Sequence, residues 1–176
     1  MKQSQAVRLC IRCFILVVSG SMLMIATSLR VNGQEPPPRP MTVTVNLSQN
    51  LSFGAFYQGN AGGTVIIYPD GSRSATGDVI LLSMGYSFST GLYDVVANRG
   101  TLVSIINGPD VLLNGSNGGS LTLHIGDSDP ISPFIVTTTP PAATQVRIGG
   151  TLIVGNPLAN PPGNFSGTFD VTFVQE

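Results

Sequence analysis

Polar and apolar residues alternate one by one along much of this chain. Met41-Thr-Val-Thr-Val-Asn-Leu47 sets Met41, Val43, Val45 and Leu47 on one face and Thr42, Thr44 and Asn46 on the other. That is the two-residue period of a half-buried strand. β-rich runs recur at 64–68, 78–82, 86–89, 93–97, 101–106, 120–125, 134–138, 144–148, 151–154 and 165–174. In 120–125 the apolar Leu121, Leu123 and Ile125 share a face, which puts His124 with Thr122 on the opposite, solvent side. In the last run Phe169, Val171 and Phe173 oppose Thr168, Asp170 and Thr172. Burying that apolar face is worth several kcal/mol at about 25 cal/mol per Å², so the terminal strand is predicted to be integral to the core.

Turn residues punctuate these runs. Pro69-Asp70-Gly71-Ser72 has proline and glycine where a tight turn wants them. Asn107-Gly108-Pro109, 114–119 and 156–163 separate later runs, and glycine or proline interrupts nearly every ten-residue window of the body. No stretch of that length has helical periodicity. The pattern predicts an all-β domain of about 8–10 short strands, arranged as a sandwich or a barrel.

The N-terminus differs in kind. Lys2, Arg8 and Arg12 precede an apolar run of 17 residues, 13–29, and Val31-Asn32-Gly33 suits a signal peptidase. Residues 1–33 therefore read as a signal peptide. A retained anchor is the alternative, although the run sits at the short end of the roughly 17–25 residues a bilayer span needs. Residues 34–40 (QEPPPRP) form a Pro-rich leader, expected to be extended and solvated. Residues 41–176 form the single β domain. The expected destination is outside the cytoplasm: extracellular, cell surface or periplasm, with no membrane insertion once the signal is removed.

Removing the signal changes the chemistry that remains. Both cysteines, Cys10 and Cys13, leave with it, so the body has no disulfide or thiolate. The remaining 34–176 carries four arginines, no lysine and nine acids, a net charge of −5 against −1 for the whole chain. Such a surface has no electrostatic footprint for nucleic acid.

Candidate catalytic groups are scarce. The only glutamates are Glu35 and Glu176, near the two ends of the mature chain where nothing is expected to hold them, and His124 is the single histidine. No G-x-S-x-G elbow or phosphate-binding glycine loop occurs. Asp127 and Asp129, within Gly126-Asp-Ser-Asp-Pro130, form the densest acidic cluster. They read as an ordinary turn after a strand; the alternative is a contribution to a Ca²⁺ site, which needs 6–8 oxygen ligands that nothing adjacent supplies. No cofactor, no metal and no catalytic activity are expected.

An ordered set of motifs gives a further lead. Leu51-Ser-Phe-Gly-Ala-Phe56 is followed by Val65–Tyr68 with Pro-Asp-Gly-Ser-Arg-Ser74 and then by Gly-Asp-Val-Ile-Leu-Leu82; Gly149-Gly-Thr-Leu152 and Pro161-Pro-Gly-Asn-Phe-Ser-Gly-Thr-Phe-Asp-Val-Thr172 come late. Together they resemble a family of bacterial secreted domains of uncharacterised function, over most of 41–176. Tyr68 departs from the small polar residue usual there. The closing strand is also similar to the ends of spore coat protein U-like and fimbrial-subunit domains. The resemblance implies an immunoglobulin-like, pilin-related antiparallel β-sandwich at the envelope or outside it, and it brings no catalytic residues.

Two functions follow as expectations. The first is a secreted or envelope structural or adhesive protein, such as a subunit of a surface filament or coat, associating with itself or with other envelope proteins. In that case Met41, Val43, Val45 and Leu47 can act as a donor strand for another chain, unless the segment is simply the domain's own first strand. The alternative function is an extracellular carbohydrate- or small-ligand-binding module, with Tyr57, Tyr86 and Tyr93 as the available sugar platforms.

Overall fold

A computed structural model describes residues 40–46 and 49–176. Residues 1–33, read above as a signal peptide, nearly all of the Pro-rich segment 34–40 and Leu47 of the candidate donor strand lie outside the described residues. The elements are β1 (Thr42–Val45), β2 (Ser52–Phe53), β3 (Phe56–Ile67), β4 (Arg73–Leu81), β5 (Phe88–Ser89), β6 (Gly91–Val96), β7 (Leu102–Asn107), β8 (Val111–Gly115), β9 (Ser120–Asp129), β10 (Phe134–Ile135), β11 (Thr144–Val154), β12 (Phe165–Ser166) and β13 (Val171–Gln175). The protein is all-β, as the alternation predicts. Nine of these strands have four residues or more, and every pairing among them is antiparallel.

β11 is the spine of the large sheet. Its first half pairs β6, from Thr144↔Val95 to Ile148↔Gly91, and its second half pairs β3, from Gly150↔Ile67 to Val154↔Gly63. β9 runs along the opposite edge of both halves. The order is β1-β6-β11-β9-β8-β12, with the β3–β4 hairpin branching from β11. A three-stranded sheet, β10-β7-β13, and the pair β2–β5 complete the structure. Buried side chains from both larger sheets share one core: Val65, Leu121 and Ile148 from the first meet Val103 and Phe134 from the second, and half-buried Phe173 packs against them. This is a β-sandwich arrangement.

Several strands differ from the sequence reading, each for a local reason. The runs 144–148 and 151–154 are one strand, because Gly149 and Gly150 accommodate a bulge rather than a break. A Cβ at Gly149 would lie 2.3 Å from the Ile67 carbonyl oxygen, so only glycine allows β3 to approach there. The terminal run 165–174 is two strands. β12 pairs β8 in the large sheet while β13 pairs β7 in the small one, so the chain changes sheets between them. The inward alternation of Phe169, Val171 and Phe173 survives that crossing. β8 was masked in the sequence by its unalternating Val-Leu-Leu and its flanking Asn-Gly. β9 continues to Asp129, so Asp127 and Asp129 lie within a strand and not in a turn after it.

The Pro69–Ser72 turn forms as expected. Tyr68 N–H donates to the Ser72 carbonyl at 2.9 Å, and Asp70 accepts from both the N–H and the hydroxyl of Ser72, at 2.8 and 2.6 Å. Those two bonds stabilise the carboxylate and hold Asp70 below its ordinary pKa of 3.8.

Candidate functional site

The sequence has five long stretches without Asp, Glu, Lys or Arg: 40–69, 79–93, 111–126, 130–146 and 148–169. The fold brings parts of all but 130–146 together around one open groove with a volume of about 1340 Å³. Leu113, Leu121, Leu123 and Leu152, inward residues of β8, β9 and β11, line its interior. Leu51, Phe53 and Phe56 form one wall, and Phe165 to Phe169, where the chain crosses between sheets, form another. Tyr57, Met84 and Tyr86 stand around it, 59%, 66% and 65% exposed. Gln49, Asn50, Gln58 and Asn164 add uncharged polar groups. No side chain of the lining carries a formal charge.

The walls are held by polar contacts that face away from solvent. Arg73, at the start of β4, donates from Nη1 to the carbonyls of Phe53 (2.8 Å) and Ala55 (3.3 Å) and from Nη2 to that of Leu82 (3.3 Å). Its guanidinium carbon also sits 4.5 Å from the Phe88 ring centroid, in cation–π geometry. Both terminal nitrogens of this cation thus donate to carbonyls, and its face meets a ring. On the far side Asn160, buried to 4%, donates to the Ser120 carbonyl at 2.5 Å and accepts the Gly155 N–H at 2.8 Å. The Gln58 amide donates to the Asn160 carbonyl.

The sequence-selected residues are distributed unevenly around this site. Tyr57, Tyr86 and Tyr93 all line the groove, but Tyr93 is 8% exposed and packs on Phe173 with centroids 5.4 Å apart. Tyr93 is therefore no exposed platform; burial also pushes its phenol above the ordinary pKa of 10.0. His124 is on the solvent side, as expected, and its Nδ1 lies 2.7 Å from the Asp110 carboxylate, with both side chains more than half exposed. Glu176 is held after all: it accepts from the Ser104 hydroxyl, and its N–H donates to the Leu102 carbonyl at 3.0 Å.

Asp129 faces Arg147 at 3.8 Å. Among the described residues no group of three or more His, Cys, Asp or Glu is placed to hold a metal ion, so Asp127 and Asp129 are joined by no third ligand of that kind. Also among the described residues, no helix is long and apolar enough to cross a membrane. Met41, Val43 and Val45 lie at β1, which pairs β6 of its own chain from Thr42↔Val96 to Val45↔Tyr93. All four β1 residues are exposed.

The motifs noted in the sequence converge here. Leu51–Phe56 and Pro162–Phe169 both contribute to the lining, and Arg73 of the first hairpin clamps the carbonyls of the former. Composition held one usable signal for the groove, the long charge-free stretches, but only the fold shows that four of the five meet there. No curated protein and no solved structure matches the chain. A protein-family model does match, over residues 43–174. The chain belongs to the family described as Domain of unknown function (DUF4402).

Proposed function

We propose that this is an exported structural or adhesive protein of the cell envelope or its surroundings, without catalytic activity, which joins copies of itself or other envelope proteins edge to edge through β1. The observation that carries the reading is the state of that strand. β1 pairs β6 on one side and no described strand on the other. Val43 and Val45 are 36% and 51% exposed, so their apolar surface is left to water. An open, apolar edge offers main-chain groups to another chain. Natural edges are usually blunted by charge, proline or a bulge, and Thr42–Val45 has none of these.

The finer fold reading, an immunoglobulin-like and pilin-related sandwich, is supported by the antiparallel sheets and by a C-terminal segment that changes sheets between β12 and β13. The donor role of Met41, Val43, Val45 and Leu47 belongs to the same proposal, because Thr42–Val45 are all exposed, although Met41 packs against the domain's own core.

Light scattering on protein purified from cells expressing the full chain tests the assembly. The parent is expected to form oligomers that grow with concentration, and Val43→Lys/Thr44→Lys, which charges the edge, is expected to remain monomeric with an unchanged circular dichroism spectrum. A parent that stays monomeric up to its solubility limit would sink the proposal, as would a charged edge that assembles equally well.

A further inference from the structure

The groove meets β1 only at Val45, the last residue of that strand, and it has a chemistry of its own. We propose that it binds a neutral amphiphile: a molecule with an aliphatic chain and an uncharged, hydroxyl-bearing head, such as an acylglycerol or an alkyl glycoside.

Three observations carry this. The first is the interior, where Leu113, Leu121, Leu123 and Leu152 offer aliphatic surface to a chain. The volume of about 1340 Å³ exceeds the roughly 300–1,000 Å³ typical of drug-sized sites, which leaves room for a long chain. The second is the surround. Tyr57 and Tyr86 are exposed beside Gln and Asn side chains, and tyrosine is suited to a boundary that is apolar at one end and wet at the other.

The third observation selects the head group. No lining residue is Asp, Glu, Lys or Arg. An ionised carboxylate or phosphate brought against such a lining loses its hydration and gains no counter-charge. Arg73 is not in the lining: its guanidinium lies behind Gly54, with Nη1 and Nη2 donating to three carbonyls and its face on Phe88, so it offers those donors to the wall and not to a ligand. A neutral head keeps its hydrogen bonds with the amides and hydroxyls and carries no such penalty.

Calorimetric titration with hexyl, heptyl and octyl glucoside below their micellar concentrations tests the assignment, again with protein purified from cells expressing the full chain. Affinity is expected to rise about fourfold per added methylene, the value for transferring a CH₂ out of water. Octanoate is expected to bind about tenfold more weakly than octyl glucoside, or worse, and free glucose not measurably. Thr168→Trp, which adds bulk at an exposed lining residue, should abolish binding. Met84→Glu, which adds a charge at another, should weaken it, while Leu112→Glu on the outer face of β8 should leave it unchanged. Val43→Lys/Thr44→Lys should bind as the parent does, so failure of the assembly proposal and failure of this one are told apart.

The proposal is overturned by several outcomes. Absence of binding would do it, as would affinity independent of chain length or equal affinity for octanoate. Binding of glucose as tight as that of the octyl derivative would make the groove a carbohydrate site. Displacement of octyl glucoside by a peptide of residues 41–50 would make it an acceptor for a strand. Binding that emerges only after residues 34–40 are deleted would assign the groove to the chain's own leader.

Discussion

The guanidinium of Arg73 donates to the carbonyl oxygen of Phe53 at 2.8 Å across a separation of twenty residues. Further bonds reach Ala55 and Leu82, so one side chain fastens the segment around β2 to the β3–β4 hairpin. Arginine suits this place because its planar fork can serve several acceptors at once and still stack on Phe88. Lysine would keep the charge and lose the fork. Arg73→Lys is expected to cost about 2 kcal/mol, the scale for hydrogen bonds to a charged group. The loss should show as a lower urea midpoint at unchanged slope; an unmoved midpoint would remove Arg73 from the wall's supports.

Gly54 lies between those carbonyls at φ +66°, and a Cβ there would come within 2.6 Å of Arg73 Nη1 and 3.2 Å of the Tyr86 carbonyl oxygen. Gly54→Ala therefore incurs a left-handed backbone penalty of about 1–2 kcal/mol together with displacement of the guanidinium. In an Arg73→Ala background the second cost vanishes. The two substitutions should be less than additive in thermal melts, a coupling expected of residues in contact, and strict additivity would count against the geometry.

Asn160 acts as a buried joint: it accepts from Gly155, donates to Ser120, and receives the Gln58 amide on its own carbonyl. Truncation to alanine strands a buried N–H and a carbonyl, at about 1–3 kcal/mol for each unsatisfied group. Asn160→Asp should be worse at neutral pH, since a carboxylate would then face the Ser120 carbonyl, and it should recover in part when acidified. Denaturant titrations of both variants at two pH values check this.

Burial holds the Tyr93 phenol above its ordinary 10.0. Between the unfolded value and the higher folded one, the folded protein binds the more protons, so stability falls as pH rises. The contribution is whole below pH 10.0 and is lost progressively above it. Tyr93→Phe keeps the ring against Phe173 and removes the titrating group. Its melting temperature should decline less steeply than the parent's on the alkaline side, and parallel declines would show that some other group governs the loss.

Inward positions were legible where strict alternation met burial on one face only. Leu121, Leu123 and Ile125 were placed inward from spacing alone, and they are 1%, 3% and 3% exposed. Glycines misled, because Gly149-Gly150 reads as a break although it lies within a paired strand at a close backbone approach. The segment 165–174 was read as one strand because alternation records which way side chains point and not which sheet the backbone joins. Tyr93 was assigned to the surface on its residue type, yet it stands in β6 between buried Leu92 and a core that includes Val95. The groove was legible only as long charge-free stretches and not as a site, since its lining comes from segments as far apart as Val45 and Phe169.

The absence of ionised groups from that lining has a consequence for where the protein can work. Coulombic contacts between exposed charges fade as ions accumulate, with a screening length near 10 Å at 0.1 M salt and about 3 Å at 1 M. The Arg147–Asp129 pair is of that kind. A charge-free groove has no side-chain charge for the ions to screen. Binding of a neutral molecule there is expected to survive the passage from fresh water to brine.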